Sequence, residues 1–310
     1  MKYSLLPKTD LKISAIGLGT NAVGGHNLYD NLNEEDGKNL VRTALDNGIS
    51  FIDTADVYGT GRSEELVGEV LKEYPRDRYV IATKGGSDWR NGIRDNSPEY
   101  LRKAVGESLE RLQLESIDLY YIHWPDNKTP VKEAVAELAK LKAEGKIKAV
   151  GVSNFTLEQL KEANSEGGIS AIQLQYHMLD RSVEKDILPY CVEHGITVVP
   201  YGPLAFGILG GKYDEDFLLE EGDWRKQVPL FQEGEFEKNL AIVEKLKALA
   251  GRLGTDVSKL ALAWLLAQPG IDSVIPGGKR PDQVLANLEA ADIELDEELL
   301  EEIDEILKEK

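Results

Sequence analysis

The sequence predicts an α/β fold, a (β/α)8 TIM barrel with an N-terminal β-hairpin before it and a C-terminal helix after it. Three observations lead there. Short β-rich runs alternate with amphipathic helical stretches almost from end to end, which is the pattern of parallel strands joined by helical crossovers. The runs number about what a barrel requires. The chain of 310 residues shows neither an internal repeat nor a linker, so one domain spanning 1–310 accommodates it, as barrels of about 250 residues or more commonly do.

The strand candidates are 15–19, 49–53, 79–83, 117–122, 147–152, 171–174, 197–200 and 273–275. Between them fall helix-like segments such as 63–72, 98–111, 130–144 and 156–163, several opening on Ser, Thr or Pro as helices do. Ahead of the first strand, 3–6 and 11–13 flank a Pro-Lys-Thr-Asp turn, a hairpin placed to plug the barrel bottom. Segment 296–310, dense in Glu and Leu, reads as the terminal helix. Two connections are long, 85–97 and 202–235, and connections beyond about 12–15 residues are usually functional.

A doubly wound sheet competes on one feature, Gly17-Leu18-Gly19-Thr20-Asn21-Ala22, which fits the dinucleotide fingerprint after a strand. That fingerprint needs a helix N-terminus at its glycines, whereas 21–33 reads as a Gly- and Asn-rich loop with helical periodicity starting only near Glu34.

Composition narrows the function. A formal charge of -19 repels phosphate backbones and anionic lipid, so no nucleic-acid or membrane partner is expected. The absence of a long apolar run or leader-like start points to the cytoplasm. Cys191 is expected to be a structural, buried cysteine. His26, His123, His177 and His194 show no metal-ligand spacing, so no metal is expected.

In a barrel, reactive groups come from the C-terminal ends of the strands. Strand two ends in Asp53, with Tyr58 in the loop beyond; strand three runs into Lys84 and strand four into His123. A carboxylate, a phenol, an ammonium and an imidazole therefore converge on one rim. The set suits carbonyl reduction, where an acid must protonate the developing alkoxide. A nearby ammonium lowers a tyrosine pKa towards that task, so Lys84 is expected to lower that of Tyr58, with Asp53 orienting Lys84 and His123 binding the substrate oxygen or relaying the proton. The plainer reading, an Asp53–Lys84 ion pair at the barrel top beside two packed rings, stays open residue by residue.

Further along, Gly277-Gly278-Lys279-Arg280-Pro281 forms a glycine turn before a helix carrying Gln283 and Asn287, a ready anion site whose two cations suit a 2′-phosphate. An ordinary solvated Lys-Arg turn is the alternative.

The segments Asp53-Thr54-Ala55-Asp56-Val57-Tyr58-Gly59, Ala82-Thr83-Lys84, Ile117 through Pro125, Gly151-Val152-Ser153-Asn154-Phe155 and Ile275-Pro276-Gly277-Gly278 resemble, in order and over essentially the whole chain, the signatures of the aldo-keto reductase superfamily. Residues 17–29 resemble most the bacterial branch encoded with inositol-utilisation genes. The resemblance implies NADP(H) as cofactor, a small-molecule carbonyl or alcohol as substrate, and Asp53, Tyr58, Lys84 and His123 as a catalytic tetrad. It implies that Ser153, Asn154 and Gln173 bind the nicotinamide carboxamide and that Tyr201 stacks on the ring. Thr20 and Asn21 join the cofactor set, as do Gly202, Pro203 and Leu204, with Lys212 and Arg225 folding over the pyrophosphate. Gln175 and Ala286 depart from acidic positions common in the family, which implies weaker adenine binding. The long C-terminal loop of animal relatives is lacking, which leaves substrate selection to Tyr29, Trp89, Trp124 and the long seventh loop. Potassium-channel β subunits share the fold and resemble 176–178 and 211–213, so a regulatory NADP(H)-binding subunit is the alternative; they carry asparagine where this chain has His123.

Overall fold

The computed structural model describes residues 1–29, 31–88 and 92–310. Seven parallel strands form one sheet: β1 (Leu18–Gly19), β2 (Phe51–Asp53), β3 (Val80–Gly85), β4 (Ile117–Ile122), β5 (Ile147–Ser153), β6 (Ile169–Gln175) and β7 (Thr197–Tyr201). Their spatial order is their chain order. The order never reverses, so no switch-point crevice of the doubly wound kind exists.

The eighth strand, expected at 273–275, is reduced to bridges. Ile16 pairs with Val274 and Gly19 with Gly277, both parallel. The Gly17 and Gly19 amides donate to Val274 and Pro276 at 2.8 and 3.1 Å, and the Val198 amide donates to Gly270 at 2.8 Å. The segment is thus bonded on one side to β1 and tied at its start to β7, which closes the (β/α)8 barrel without a full ladder. Val274, Ile275 and Pro276 are too few to continue it before the glycine turn.

Each crossover carries helix: α1 (Glu34–Asp46), α2 (Arg62–Leu71), α3 (Pro98–Leu112), α4 (Val131–Ala143), α5 (Leu157–Ala163), α6 (Ile187–His194), then α7 (Glu235–Arg252) and α8 (Val257–Leu266) before the closing segment, and α9 (Pro281–Leu288) after it. α10 (Glu297–Lys308) ends the chain. Their starts are written locally. Asn33 accepts from the amides of Glu35 and Asp36, Ser97 caps Tyr100 ahead of Pro98, and Thr156 and Gln159 form a capping box. One expectation fails here: residues 21–24 form a short helical turn rather than loop, although Thr20 gives it no side-chain cap.

Two apolar layers follow from the two-residue period of the strands. The outer layer, between sheet and helices, takes Ile52, Ile81, Tyr120, Ile122, Val150, Val152 and Ile172. The inner one fills the barrel with Phe51, Val80, Ala82, Leu119, Tyr121, Ala149, Ala171, Val199 and Ile275, and Leu6 and Ile13 of the N-terminal hairpin (Tyr3–Leu5 with Lys12–Ser14) close its floor. That is the plug the sequence predicts. Gly151 makes room in this layer, since a Cβ there would overlap the Tyr121 ring. Cys191 is buried in the outer layer, where desolvation pushes its thiol up to about 12, so it stays a neutral thiol. No helix among the described residues is long and apolar enough to cross a membrane.

Candidate active site

The parity that fills the barrel also aims the polar groups. Counting on by two from Phe51, Ala82, Tyr121, Gly151, Ala171 and Val199 reaches Asp53, Lys84, His123, Ser153, Gln173 and Tyr201, the next inward positions at the C-terminal rim. Asp53, His123, Ser153, Gln173 and Tyr201, with Tyr58, line one cavity of about 770 Å3.

Lys84, wholly buried, lies beneath it. Its Nζ donates to Asp53 Oδ1 at 2.5 Å and to the Thr54 carbonyl at 2.7 Å. Gln173 Nε2 donates to the other Asp53 oxygen at 2.9 Å. Burial works against the ammonium, but the Asp53 charge, the Tyr58 phenol and hydrogen bonds to both outweigh it, so Lys84 holds its proton more firmly than in water. Burial pushes the Asp53 carboxyl up, and Lys84 and Gln173 pull it back. This is a buried, hydrogen-bonded ion pair, not an exposed one of little consequence.

Tyr58 lies over it, the Lys84 ammonium 5.3 Å from the ring centroid. The sequence predicts a lowered phenol pKa. Lys84 does act in that direction through its charge and a hydrogen bond, but burial of the phenol is the larger effect and the pKa is raised. The expectation is therefore corrected in sign: the site keeps Tyr58 protonated at neutral pH.

His123 meets Tyr58 edge-on, ring centroids 6.2 Å apart. Its amide donates to Gly85 at 2.8 Å, which fixes the turn out of β4. Burial, then Lys84 and Arg94, hold its pKa well below 6.5, so the imidazole is neutral. Its Nδ1 is buried and finds no partner among the described residues.

On the neighbouring strands Asn154 takes a left-handed backbone, φ 59°, a conformation asparagine tolerates better than most residues. Its Nδ2 donates to the His123 carbonyl and to Ser153 Oγ, each at 3.0 Å, and its Oδ1 accepts from the Tyr201 hydroxyl at 3.0 Å. Ser153, Asn154, Gln173 and Tyr201 thus form one hydrogen-bonded wall beside the Asp53–Lys84 pair.

The cavity continues past Thr20, Asn21 and Tyr29 to Gly277, Gly278, Lys279 and Gln283, roofed by the long seventh loop with Gly202, Pro203, Leu204 and Arg225. Thr20 is buried, its hydroxyl on the Asp53 carbonyl at 2.9 Å. Asn21 Nδ2 donates to the Tyr29 hydroxyl at 3.2 Å, and Lys279 Nζ lies 4.6 Å from the Tyr29 ring centroid. Trp124 lines the cavity; Trp89 lies outside the described residues. Gln175 turns to Asp180 Oδ2 at 3.2 Å.

Other sequence-predicted residues are placed differently. Lys212 is exposed and Asn287 buried, and neither lines the cavity. Arg280 does not line it either; its guanidinium bonds Asp282, Nη2 to Oδ2 at 2.9 Å. Arg225 does line it, but pairs with Asp223 at 2.6 Å and donates to the Tyr213 hydroxyl at 2.8 Å. In both cases a carboxylate two residues away claims the cation. Sequence reasoning missed Phe206, Tyr213, Phe217 and Trp224, aromatic residues of the seventh loop that form much of the roof. Their clustering is the signal: Tyr213 stacks on Phe217 at 3.7 Å and Trp224 meets Phe206 edge-on at 5.4 Å. It missed the acids Glu220, Glu221 and Asp223 in that wall too. They oppose an anion, which leaves Lys279 and the amides of the 277–278 turn as the end suited to phosphate.

A barrel with a buried lysine–aspartate pair under a protonated phenol, a neutral imidazole beside it and a long polar cavity running to a glycine turn defines an oxidoreductase of carbonyl groups. The model of the Aldo/keto reductase family matches residues 15–308, and the chain belongs to that family. The aldo-keto reductase YhdN of Bacillus subtilis (strain 168) is 39% identical over 99% of this chain and 94% of its own length. The NADH-specific methylglyoxal reductase of Escherichia coli (strain K12) is 36% identical over 99% of this chain and 100% of its own. Among solved structures, the glycerol dehydrogenase AKR11B4 of Gluconobacter oxydans superposes with TM-score 0.91 at 39% identity, covering 98% of this chain and 94% of that one. An aldo-keto reductase of Klebsiella pneumoniae in complex with NADPH superposes with TM-score 0.78 at 30% identity, covering 99% and 95%.

Proposed function

We propose that this protein reduces aldehydes and ketones to alcohols with NADPH, reversibly, and that Tyr58 is the group that gives and takes the proton. The observation that carries this reading is the fully buried Lys84–Asp53 pair under the Tyr58 phenol, at the rim of a cavity shared with His123. The cavity fits a nicotinamide dinucleotide in its chemistry: amide and hydroxyl groups of Ser153, Asn154 and Gln173 suit a carboxamide, the Tyr201 face suits a planar ring, and Lys279 with the Gly277–Gly278 amides suits phosphate.

When bound there, the reduced nicotinamide supplies hydride to the carbonyl carbon. The remaining work falls to side chains. Tyr58, kept protonated by burial, donates its proton to the carbonyl oxygen as charge develops. The phenolate left behind is stabilised by the Lys84 ammonium, which Asp53 holds in place. Neutral His123 orients the carbonyl oxygen without adding a competing charge. Gln173 touches Asp53 directly, so the carboxamide wall and the proton-donating group are held in register. Alcohol oxidation requires Tyr58 as phenolate, so the reverse reaction rises with pH.

Support for NADP(H) comes from the Klebsiella complex, while the E. coli relative is named for NADH. The resemblance of residues 17–29 to the inositol-operon branch supports ketones derived from polyols as one substrate class to try. The comparisons give the regulatory-subunit alternative no support.

Tyr58→Phe tests the reading, because it keeps the ring and removes only the hydroxyl. NADPH binding and fold are expected to survive, while kcat for a good aldehyde falls about 10² to 10⁴-fold, the contribution typical of an oriented general acid. A variant retaining more than about a tenth of the parent rate sinks the assignment of Tyr58.

A further inference from the structure

The third crossover holds a cation whose part in the chemistry above is confined to its charge acting on His123. Ser87–Asp88 and Ile93–Arg94 form a short antiparallel hairpin after β3, in register Ser87 with Arg94. Arg94 lays its guanidinium over Trp124, 4.6 Å from the ring centroid. With Val57, Ser87, Gly92, Ile93, His123 and Trp124 it encloses a second cavity of about 260 Å3. His123 and Trp124 line both cavities, so the smaller one adjoins the larger at the imidazole.

Arg94 stands apart from the other described arginines. Arg42, Arg62, Arg76, Arg102, Arg111, Arg181, Arg225, Arg252 and Arg280 each bond a carboxylate, and Arg78 donates to the Leu45 carbonyl. Arg94 has no carboxylate partner among the described residues, in a chain of net charge -19 with 55 acidic side chains. The contact with Trp124 holds the guanidinium beside this cavity, and its forked N–H donors suit a planar anion bound through two parallel hydrogen bonds.

Resting on the reading of the site as a carbonyl reductase, we propose that Arg94 is a specificity-determining residue, and that the preferred substrates are aldehydes and ketones bearing a carboxylate. The carbonyl oxygen lies at Tyr58 and His123, and the carboxylate reaches past the imidazole into the second cavity to meet the guanidinium. The acidic bulk of the protein repels such substrates, and the Arg94 guanidinium offsets that repulsion locally at the second cavity.

The test compares 4-carboxybenzaldehyde with 4-methylbenzaldehyde, and 4-oxobutanoate with butanal, under NADPH. The ratio of kcat/KM, charged over neutral, is expected to exceed one in the parent and to fall at least about tenfold in Arg94→Gln, chiefly through KM, as loss of a charge-assisted pair predicts. Arg94→Lys, which keeps the charge without the fork, is expected to fall between. An unchanged ratio in Arg94→Gln overturns the proposal. Calorimetric binding of 4-carbamoylbenzoate, whose amide carbonyl accepts no hydride, against 4-methylbenzamide makes the result independent of turnover. Equal affinity of parent and Arg94→Gln for the carboxylate overturns the anion site, whereas failure to reduce any aldehyde, with carboxylate binding still lost in Arg94→Gln, overturns the reductase reading and leaves the anion site standing.

Discussion

Replacing Lys84 with methionine removes the ammonium from the barrel while keeping most of the stem that fills it. Asp53, only 2% exposed, is then left with Gln173 Nε2 at 2.9 Å as its side-chain donor. A buried carboxylate without its cation is costly enough that the group takes up a proton on folding instead. In the unfolded chain that carboxyl titrates near 3.8, so at pH 7 the uptake costs about 4 kcal/mol, at about 1.4 kcal/mol for each unit between the two. In the parent, Asp53 is ionised in both states at pH 7 and the cost does not arise. The folded variant binds one proton more than the unfolded chain, so its stability relative to the parent falls as pH rises. The deficit is expected at about 2 to 3 kcal/mol at pH 6 and about 4 at pH 7, growing further towards pH 8 until the folded carboxyl ionises in its turn. Urea unfolding followed by far-ultraviolet circular dichroism at these three pH values measures it. The doubly substituted Asp53→Asn/Lys84→Met chain, with no group to protonate, should lose the slope. A deficit in Lys84→Met that does not vary with pH, or a slope that persists in the double variant, refutes the buried ion pair as the element Lys84 completes.

Two other expectations follow from the same geometry. Lys279 faces the cavity while Arg280 is tied to Asp282, so NADPH should bind more tightly than NADH by about tenfold or more, and Lys279→Ala/Arg280→Ala should collapse the ratio, mostly through Lys279; fluorescence titration of both nucleotides checks this, and equal dissociation constants in the parent count against it. Gly151→Ala drives a Cβ into the Tyr121 ring inside the barrel, and overpacking of this kind typically costs about 1 to 3 kcal/mol, so a melting temperature equal to the parent's would show that the inner layer yields more freely than its packing implies.

What could be read from the sequence had a local cause. Crossover helices announced themselves through apolar spacing and through caps such as Ser97 and Thr156, which act within a few residues of where they stand. Asp53, Lys84 and His123 were legible because strand parity carries each from an apolar inner position two residues earlier, with Tyr58 in the loop that follows Asp53, and a barrel brings strand ends together whatever their separation in sequence. The Asp282 and Asp223 partners of Arg280 and Arg225 were equally in view, two residues away, yet a cation near a glycine turn or in a long loop reads as free until its carboxylate is seen to reach it.

Tertiary structure alone decided the balances. Whether Lys84 or burial governs the Tyr58 phenol depends on how much water the closed barrel excludes, a property of all the strands at once, and burial prevails. Whether 273–275 forms a full strand depends on how much of the chain either side of it is drawn into β1 and the glycine turn. The contact of Arg94 with Trp124 joins two crossovers thirty residues apart, and no periodicity or cap connects them. Residue types and their spacing determined which groups would meet at the rim; the packed barrel determined which of them keep their protons and that Arg94 meets Trp124 and no carboxylate among the described residues, because desolvation and pairing are set by neighbours that only folding supplies.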